Sequence, residues 1–413
     1  MYLLIILGCG ARLYEVWQHN PLDPDRLYSD AMRHWEQASE PLEPSPLALF
    51  DQPFFQLWLS VVQIWTMGLR PLIAIYAGLL SVATPWLWYR FLREATSSRK
   101  LALTGWAVLV WLPTWFSIYS FFMTETLFLT LMGASLWMTL RADRKRTVPA
   151  FVAMVVLWLL TGLTRAIGFP FGAIAGLLVW LRYPQKLRCV GWSVLIVLVV
   201  LTPLAYRNYS FLRLWTPWGN GWMNNIYAES GKREVLLHLK RDGAAWEYGF
   251  TTPSMNKQPL LPLSDWTPSR EGTVNINVDM THGEDDWKKE YQRTAIHGWQ
   301  RLKMRGENIL DAVMGSSWPD DQPYLAGQMS FAFRWPWAPL LLIVTLLCAR
   351  RWRDTLMRPL LPILIVTWFF LQACSLVAVN EGRYRKPLEG LLIAQVIVMW
   401  DQYRKRVTPA AIT

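Results

Sequence analysis

The sequence predicts an all-α polytopic membrane protein: a bundle of about ten transmembrane helices, an external juxtamembrane helix and a small external domain of mixed α/β or α type. Three observations predict it. Of the 413 residues 53% are hydrophobic and only 17% charged, whereas soluble domains carry about a quarter charged residues. The apolar residues cluster into runs of roughly 16 to 23, which cross a hydrocarbon core at ~1.5 Å per helical residue. Short basic loops punctuate those runs, and the 26 Trp suit membrane interfaces, where an apolar ring and a polar N–H are both satisfied.

Along the chain, Met1–Gly8 is apolar but too short to span alone. It reads as a helix completed by Ala11–Trp17, or as the remnant of one left by a late start codon. No basic stretch precedes it as in a signal peptide. Gln18–Gln52 is polar and rich in Pro and acidic residues, hence an extramembrane loop. Pro53–Trp65 is apolar, short and proline-led, the mark of a helix lying at the interface. Pro71–Tyr89 is a span that ends at Arg90, Arg93, Arg99 and Lys100. Leu101–Phe122 and Thr124–Leu140 form a pair joined by a tight turn and closed by the basic run Arg141–Arg146. Val148–Thr164 and Ile167–Leu181 form a second pair, joined at Arg165 and followed by the basic Arg182–Arg188.

Val190–Tyr206 then leads into a long polar stretch, Arg207–Arg334. Trp335–Ala349 ends at Arg350, Arg351 and Arg353; Leu356–Val379 leads to Asn380–Glu389; Leu391–Trp400 ends at Arg404, Lys405 and Arg406. With the basic loops inside, the faces alternate consistently only if Pro53–Trp65 does not cross. The chain divides into an N-terminal transmembrane region, 1–206, with a first external loop at 18–70; an external domain, 207–334; and a C-terminal transmembrane region, 335–413. A stretch as long as 207–334 must carry its own structure. Trp287, Tyr291, Ala295, Trp299, Leu302, Ile309 and Val313 recur at helical spacing. Asn256–Gly283, rich in Pro, Ser, Thr and Asn, reads as loop.

Composition also excludes some classes. The net charge of +11 does not point to nucleic acid, because the excess sits in short loops between spans. Cys9, Cys189, Cys348 and Cys374 lie in or beside apolar runs, at no metal spacing and with no disulfide framework. His282-Gly-Glu-Asp-Asp286 resembles a metal cluster but lacks ligand periodicity, and no metal ligands are assigned. No glycine-rich phosphate loop or HExxH pair occurs.

Chemistry-bearing residues collect on the outside face. Asp30 lies in the first external loop, where a carboxylate can act as a base at the membrane surface. Glu125 lies within an otherwise apolar helical pair, and Arg165 in Leu163-Thr-Arg-Ala-Ile-Gly168; ionisable residues at membrane depth are expensive and by default functional. Arg207 stands at the outer end of its span, and Arg383, Tyr384 and Arg385 stand in Asn380-Glu-Gly-Arg-Tyr-Arg-Lys-Pro387. Arginines near outer span ends break the rule the inner loops obey, and the guanidinium fork binds phosphate well. Together they describe a surface that holds a lipid-linked phosphate beside a base.

The succession of motifs resembles the GT-C superfamily of integral membrane glycosyltransferases, among them protein O-mannosyltransferases and the aminoarabinose transferases of lipid A. The order is a short first helix, an external loop with Ser29-Asp30, a proline-led juxtamembrane helix, Thr124-Glu-Thr-Leu-Phe128, Leu163-Thr-Arg165, Tyr206-Arg-Asn-Tyr209 and Gly382-Arg-Tyr-Arg-Lys-Pro-Leu-Glu389. Gln52-Pro53 stands where the family carries His-Pro-Pro or Lys-Pro-Pro. The resemblance implies a GT-C-like bundle in a bacterial inner membrane, with the active site facing the periplasm. It implies an inverting transfer from a polyprenyl-phosphate-linked sugar to a periplasmic glycan, lipid or protein acceptor. Asp30 would then be the catalytic base and Glu125 the acidic residue of the second external turn, orienting acceptor or base, with Arg165, Arg207, Arg383, Tyr384 and Arg385 near the carrier phosphate. Some relatives use a divalent metal and others none. The rival readings are an O-antigen polymerase or ligase with a diphosphate-linked donor, and a lipid-linked-glycan flippase or transporter, which would show two related halves and broken midplane helices.

Overall fold

The computed structural model describes residues 1–43, 51–218, 221–222, 226, 234–250, 273–314, 337–350, 357–374 and 382–407. These residues are mostly helical, with one small sheet. In the first half run α1 (Tyr2–Gln18), α2 (Ser29–Gln37), α3 (Pro53–Thr66), α4 (Arg70–Ala95), α5 (Arg99–Val110), α6 (Thr124–Lys145), α7 (Val148–Thr164), α8 (Gly168–Trp180) and α9 (Lys186–Leu212). Strands β1 (Glu234–Arg241), β2 (Ala244–Phe250) and β3 (Thr273–Asp279) follow, then α10 (Glu284–Thr294), α11 (Gly298–Met314), α12 (Trp337–Arg350), α13 (Met357–Cys374) and α14 (Lys386–Val407).

Proline at the first or second position opens α3, α4 and α7, where its missing N–H costs nothing. The core of the bundle is the packing of α4 on α6 and of α6 on α7, with α14 closing it. Trp88 anchors it. Its indole donates to Leu129 O at 3.0 Å, and it is seated against Gly133 and Gly390, where a Cβ would lie 2.6 Å from the ring. α3 has the length and exposed apolar edge (Val61, Ile64, Trp65) expected of an interfacial helix.

The expectation of about ten spans is not supported. Among the described residues two helices, α4 and α9, are long and apolar enough to cross a membrane, or three if α5 and the turns after it count as one bent span. The run Leu101–Phe122 is the clearest departure. Its helix stops at Val110, and the chain continues as 3-10 turns at Pro113–Trp115 and Ser117–Ser120, bent by 62°. Pro113 cannot donate to the α5 ladder, and a remote residue completes the break. The buried Arg12 of α1 donates to Leu109 O at 3.0 Å, Val110 O at 2.7 Å, Trp115 O at 3.1 Å and Ser81 Oγ at 3.1 Å. It thereby takes up carbonyls that the end of a helix leaves unsatisfied and sits at the negative end of the helix dipole. Arg12→Leu should therefore destabilise the fold by about 3 kcal/mol or more, because several buried acceptors lose their donor at once. A wild-type melting temperature for that variant in detergent would show that Arg12 does not hold the break.

α7 and α8 have 17 and 13 residues, short of the ~20 needed for a straight crossing. α9 leaves many of its apolar side chains exposed, Leu187, Trp192, Leu198 and Val199 among them.

The sheet has the order β2-β1-β3, with β1 antiparallel to β2 and parallel to β3. Val235, Leu237 and Leu239 of β1 and Val274, Ile276 and Val278 of β3 face a core with Trp287. Two expectations for this region are corrected. Thr273–Asp279, inside the stretch read as loop, is a strand with strict alternation of buried and exposed residues. The stripe from Trp287 to Val313 belongs to two helices, because the chain leaves the helix at Ala295 and Gly298 takes a positive φ of 63°. α10 covers the free edge of β3: Glu290 and Asp286 accept from Asn277 N and Asp279 N, and Arg293 donates to Asn275 O.

Candidate functional site

The ends of the bundle differ in chemistry. At one end, Arg144 pairs with Glu94, Arg182 with Asp143, and Asp401 accepts from Ser97. At the other end lie the N-termini of α6 and α14, the C-terminus of α7, and α2. That second end gathers most of the residues singled out in the sequence.

α2 brings Asp30 there. Asp30 sits in the first turn of the helix, where the backbone N–H groups favour a carboxylate. The helix is clipped down by aromatic contacts: Trp35 stacks on Phe122 with centroids 4.4 Å apart, and Tyr28 meets Phe121 edge-on at 6.4 Å. Gln63 of α3 donates to Trp35 O at 2.6 Å, and Gln56 to Gln37 Oε1 at 2.7 Å. Phe121 and Phe122 immediately precede α6, so these contacts fix Asp30 relative to Glu125.

Three residues missed in the sequence complete the Asp30 cluster. Arg33 donates to Asp30 Oδ1 at 2.9 Å and, through its other terminal nitrogen, to Asp51. His34 lies buried beside them, its Nδ1 3.7 Å from Asp51 Oδ2 and its ring edge-on to Phe55 at 5.2 Å. Asp30, Arg33 and His34 stand three and four residues apart, which puts them on one helix face. That spacing was the available signal. Nothing in the sequence pairs them with Asp51.

Burial holds the His34 imidazole below its ordinary value of 6.5; Asp51 opposes this, Arg33 adds to it, and Asp30 and Glu125 oppose it more weakly. A histidine depressed in the fold contributes stability that is complete above the unfolded value and is lost as the pH falls through the folded one. His34→Gln should therefore lessen the fall in melting temperature as the pH drops below 6.5. An unchanged pH slope would assign the acid sensitivity elsewhere.

Glu125 is 1% exposed, in the first turn of α6. Arg165, the residue that ends α7, forms an ion pair with it, and Thr124 Oγ1 donates to Glu125 Oε2 at 3.1 Å. The guanidinium of Arg165 also lies over the ring of Tyr384, 4.5 Å from its centroid. The turn that carries Arg165 is unusually tight: a Cβ on Gly168 would lie 2.6 Å from Gly162 N. Only glycine permits that approach of the α7 end to the α8 start.

The remaining arginines are placed as follows. Arg385 is buried, donating to Glu389 Oε1 at 2.8 Å and Val313 O at 2.7 Å. Glu389 accepts from Thr114, and Lys386 donates to Thr114 O. This polar knot joins α14 to the turn after α5 and to α11. Arg207 stands near the C-terminal end of α9, where its Nε donates to Asn208 Oδ1 at 3.2 Å and its buried Nη1 has no hydrogen-bond partner among the described residues. Asn208 in turn donates to Trp218 O at 3.1 Å, and Trp218 packs on Phe169, next to Gly168. The side chain of Arg383 lies outside the described residues.

The residues present do not fit a divalent metal. Asp30 and Asp51 are both committed to Arg33, and Glu125 to Arg165. Among the described residues no three His, Cys, Asp or Glu side chains converge. At His282-Gly-Glu-Asp-Asp286, Asp286 accepts from Asp279 N while His282 lies 3.4 Å away. Cys9 and Cys189 are free thiols.

The cluster thus offers a partly open carboxylate on a guanidinium, with a buried carboxylate–arginine–tyrosine group beside it. Comparison with known proteins adds no name to this arrangement: no family model matches the chain, and no curated protein matches it either.

Proposed function

We propose that the chain is an inverting GT-C-type glycosyltransferase of a bacterial inner membrane, multi-pass and with its site facing the periplasm. It moves a sugar from a polyprenyl-phosphate carrier to a hydroxyl of a periplasmic glycan, lipid or protein. The observation that supports this reading is the convergence, from four distant segments, of Asp30, Glu125, Arg165 and Tyr384 at the end of the bundle opposite the basic loops. The motif order described above supports it independently.

In the reaction, Asp30 takes the proton of the acceptor hydroxyl as that oxygen attacks the anomeric carbon from the face opposite the phosphate. The bond between that carbon and the phosphate oxygen breaks, and the polyprenyl phosphate leaves with the electron pair. Arg33 and Asp51 hold Asp30 in place. Arg165, with 15% of its side chain open, and Arg207, with a free nitrogen, stabilise the charge that builds on the leaving phosphate. Glu125 and Tyr384 fix the Arg165 fork. The position of a guanidinium matters because its donors serve two phosphate oxygens at once.

The test is transfer of radiolabel from a panel of polyprenyl-phosphate sugars to periplasmic acceptors by the purified protein. Label transferred from one donor supports the reading and names the sugar. Label moved only from diphosphate-linked donors would favour a polymerase or ligase. No transfer from any donor by folded protein would favour a flippase or transporter.

A further inference from the structure

The basic end of the bundle holds a second arrangement that the proposed reaction does not use. Arg90, on the last turns of α4, lies over two indoles, 4.7 Å from the centroid of Trp137 and 5.6 Å from that of Trp86. Arg141, near the end of α6, lies over the same Trp137 at 5.1 Å. Both guanidinium groups are partly buried, and neither has a carboxylate partner among the described residues. Their neighbours do: Arg144 pairs with Glu94, and Arg182 with Asp143. The indole Nε1 of Trp137 is itself buried with no hydrogen-bond acceptor among the described residues. Two unneutralised arginines and an unsatisfied donor thus share one ring, at the end of a helix long and apolar enough to cross a membrane.

We infer that Arg90, Arg141 and Trp137 form a site for the phosphate of an anionic phospholipid headgroup. The chemistry favours this occupant in three ways. Stacking on an indole holds a guanidinium by its face and leaves its N–H edge free for oxygen acceptors. A phosphodiester supplies acceptors for both forks and for the Trp137 N–H, which otherwise stays buried and unsatisfied. Trp86, 39% exposed, extends the site toward the apolar surface of α4, where acyl chains lie and a free phosphate has no advantage. Basic pockets between helices at the positive face recognise anionic headgroups by this logic.

Retention of phosphatidylglycerol against phosphatidylcholine by the purified protein, read by native mass spectrometry, tests the inference. Wild type should keep phosphatidylglycerol selectively. Arg90→Gln with Arg141→Gln should weaken that retention roughly 10- to 30-fold, at about 1 kcal/mol per arginine. Trp137→Phe should weaken it less, and Arg144→Gln, at a residue already paired with Glu94, should leave it unchanged. The charge-preserving pair Arg90→Lys and Arg141→Lys keeps the test decisive if the double glutamine variant does not fold: it should also lose selectivity, because lysine lacks the planar fork. Equal retention of both lipids by wild type would overturn the site, as would unchanged selectivity in the folded variants. Displacement of the lipid by millimolar inorganic phosphate would assign it to free phosphate instead. None of these readouts requires glycosyl transfer, so the site and the proposed activity stand or fall separately.

Discussion

Asp30→Asn is expected to lower glycosyl transfer about 100- to 10,000-fold, the range that a positioned general base contributes, while leaving the fold intact. The substitution is nearly isosteric. The amide oxygen still accepts from Arg33, which at present donates to Asp30 Oδ1 at 2.9 Å. Asp51 still holds the other arm of Arg33, and the contacts of Trp35 and Tyr28 that seat α2 do not involve the carboxylate. What disappears is the capacity to accept a proton. The measurement pairs turnover on the donor found active with the melting temperature of each protein. Lost turnover at wild-type stability assigns the proton transfer to Asp30. Unchanged turnover would remove Asp30 from the mechanism and leave its pairing with Arg33 a device for holding α2.

Which parts of this arrangement were legible in the sequence follows from how each residue is selected. Glu125 and Arg165 stand out because a charge in an apolar run is costly unless it has a partner, and each turns out to be the other's. Tyr384 could be read only through its neighbours in Gly382–Arg385. Arg33, His34 and Asp51 carry no such signal, because charged and polar residues in a polar loop are ordinary. Only the fold brings Asp51 from the start of α3 to the arginine of α2.

Helix ends were less legible than helix faces. The run Leu101–Phe122 is apolar throughout, so composition alone reads a span. The break is set by Pro113 together with Arg12, 98 residues before its acceptor Val110, and no local pattern reveals that contact. β3 had its own signal, the alternation of Val274, Ile276 and Val278, but seven residues among Pro, Ser, Thr and Asn resemble a loop. The same limit applies to the number of spans: apolar runs of similar length become helices of 12 to 27 residues, because packing and prolines decide where each one ends.

The Glu125–Arg165 pair carries the second large expected effect. Arg165→Ala would take the ion-pair partner from a carboxylate that is 1% exposed, and losing one partner of a buried pair costs about 3–5 kcal/mol. The arginine itself retains 15% exposure, so the lower part of that range is expected. The melting temperature should fall sharply and transfer should vanish with it, a result that alone does not separate stability from chemistry. The double variant Glu125→Gln, Arg165→Met does separate them. Replacing both charges by neutral groups of similar volume removes the buried charge that has lost its counter-ion, and replacing a whole buried pair is often neutral or stabilising. The double variant should therefore melt near the wild type and well above Arg165→Ala. Transfer should stay lost if Arg165 has the proposed role, because its fork is gone while the fold around it has recovered. Recovery of both stability and turnover would make the pair a structural tie between α6 and α7. It would also shift the proposed leaving-group role to Arg207, whose buried Nη1 has no hydrogen-bond partner among the described residues.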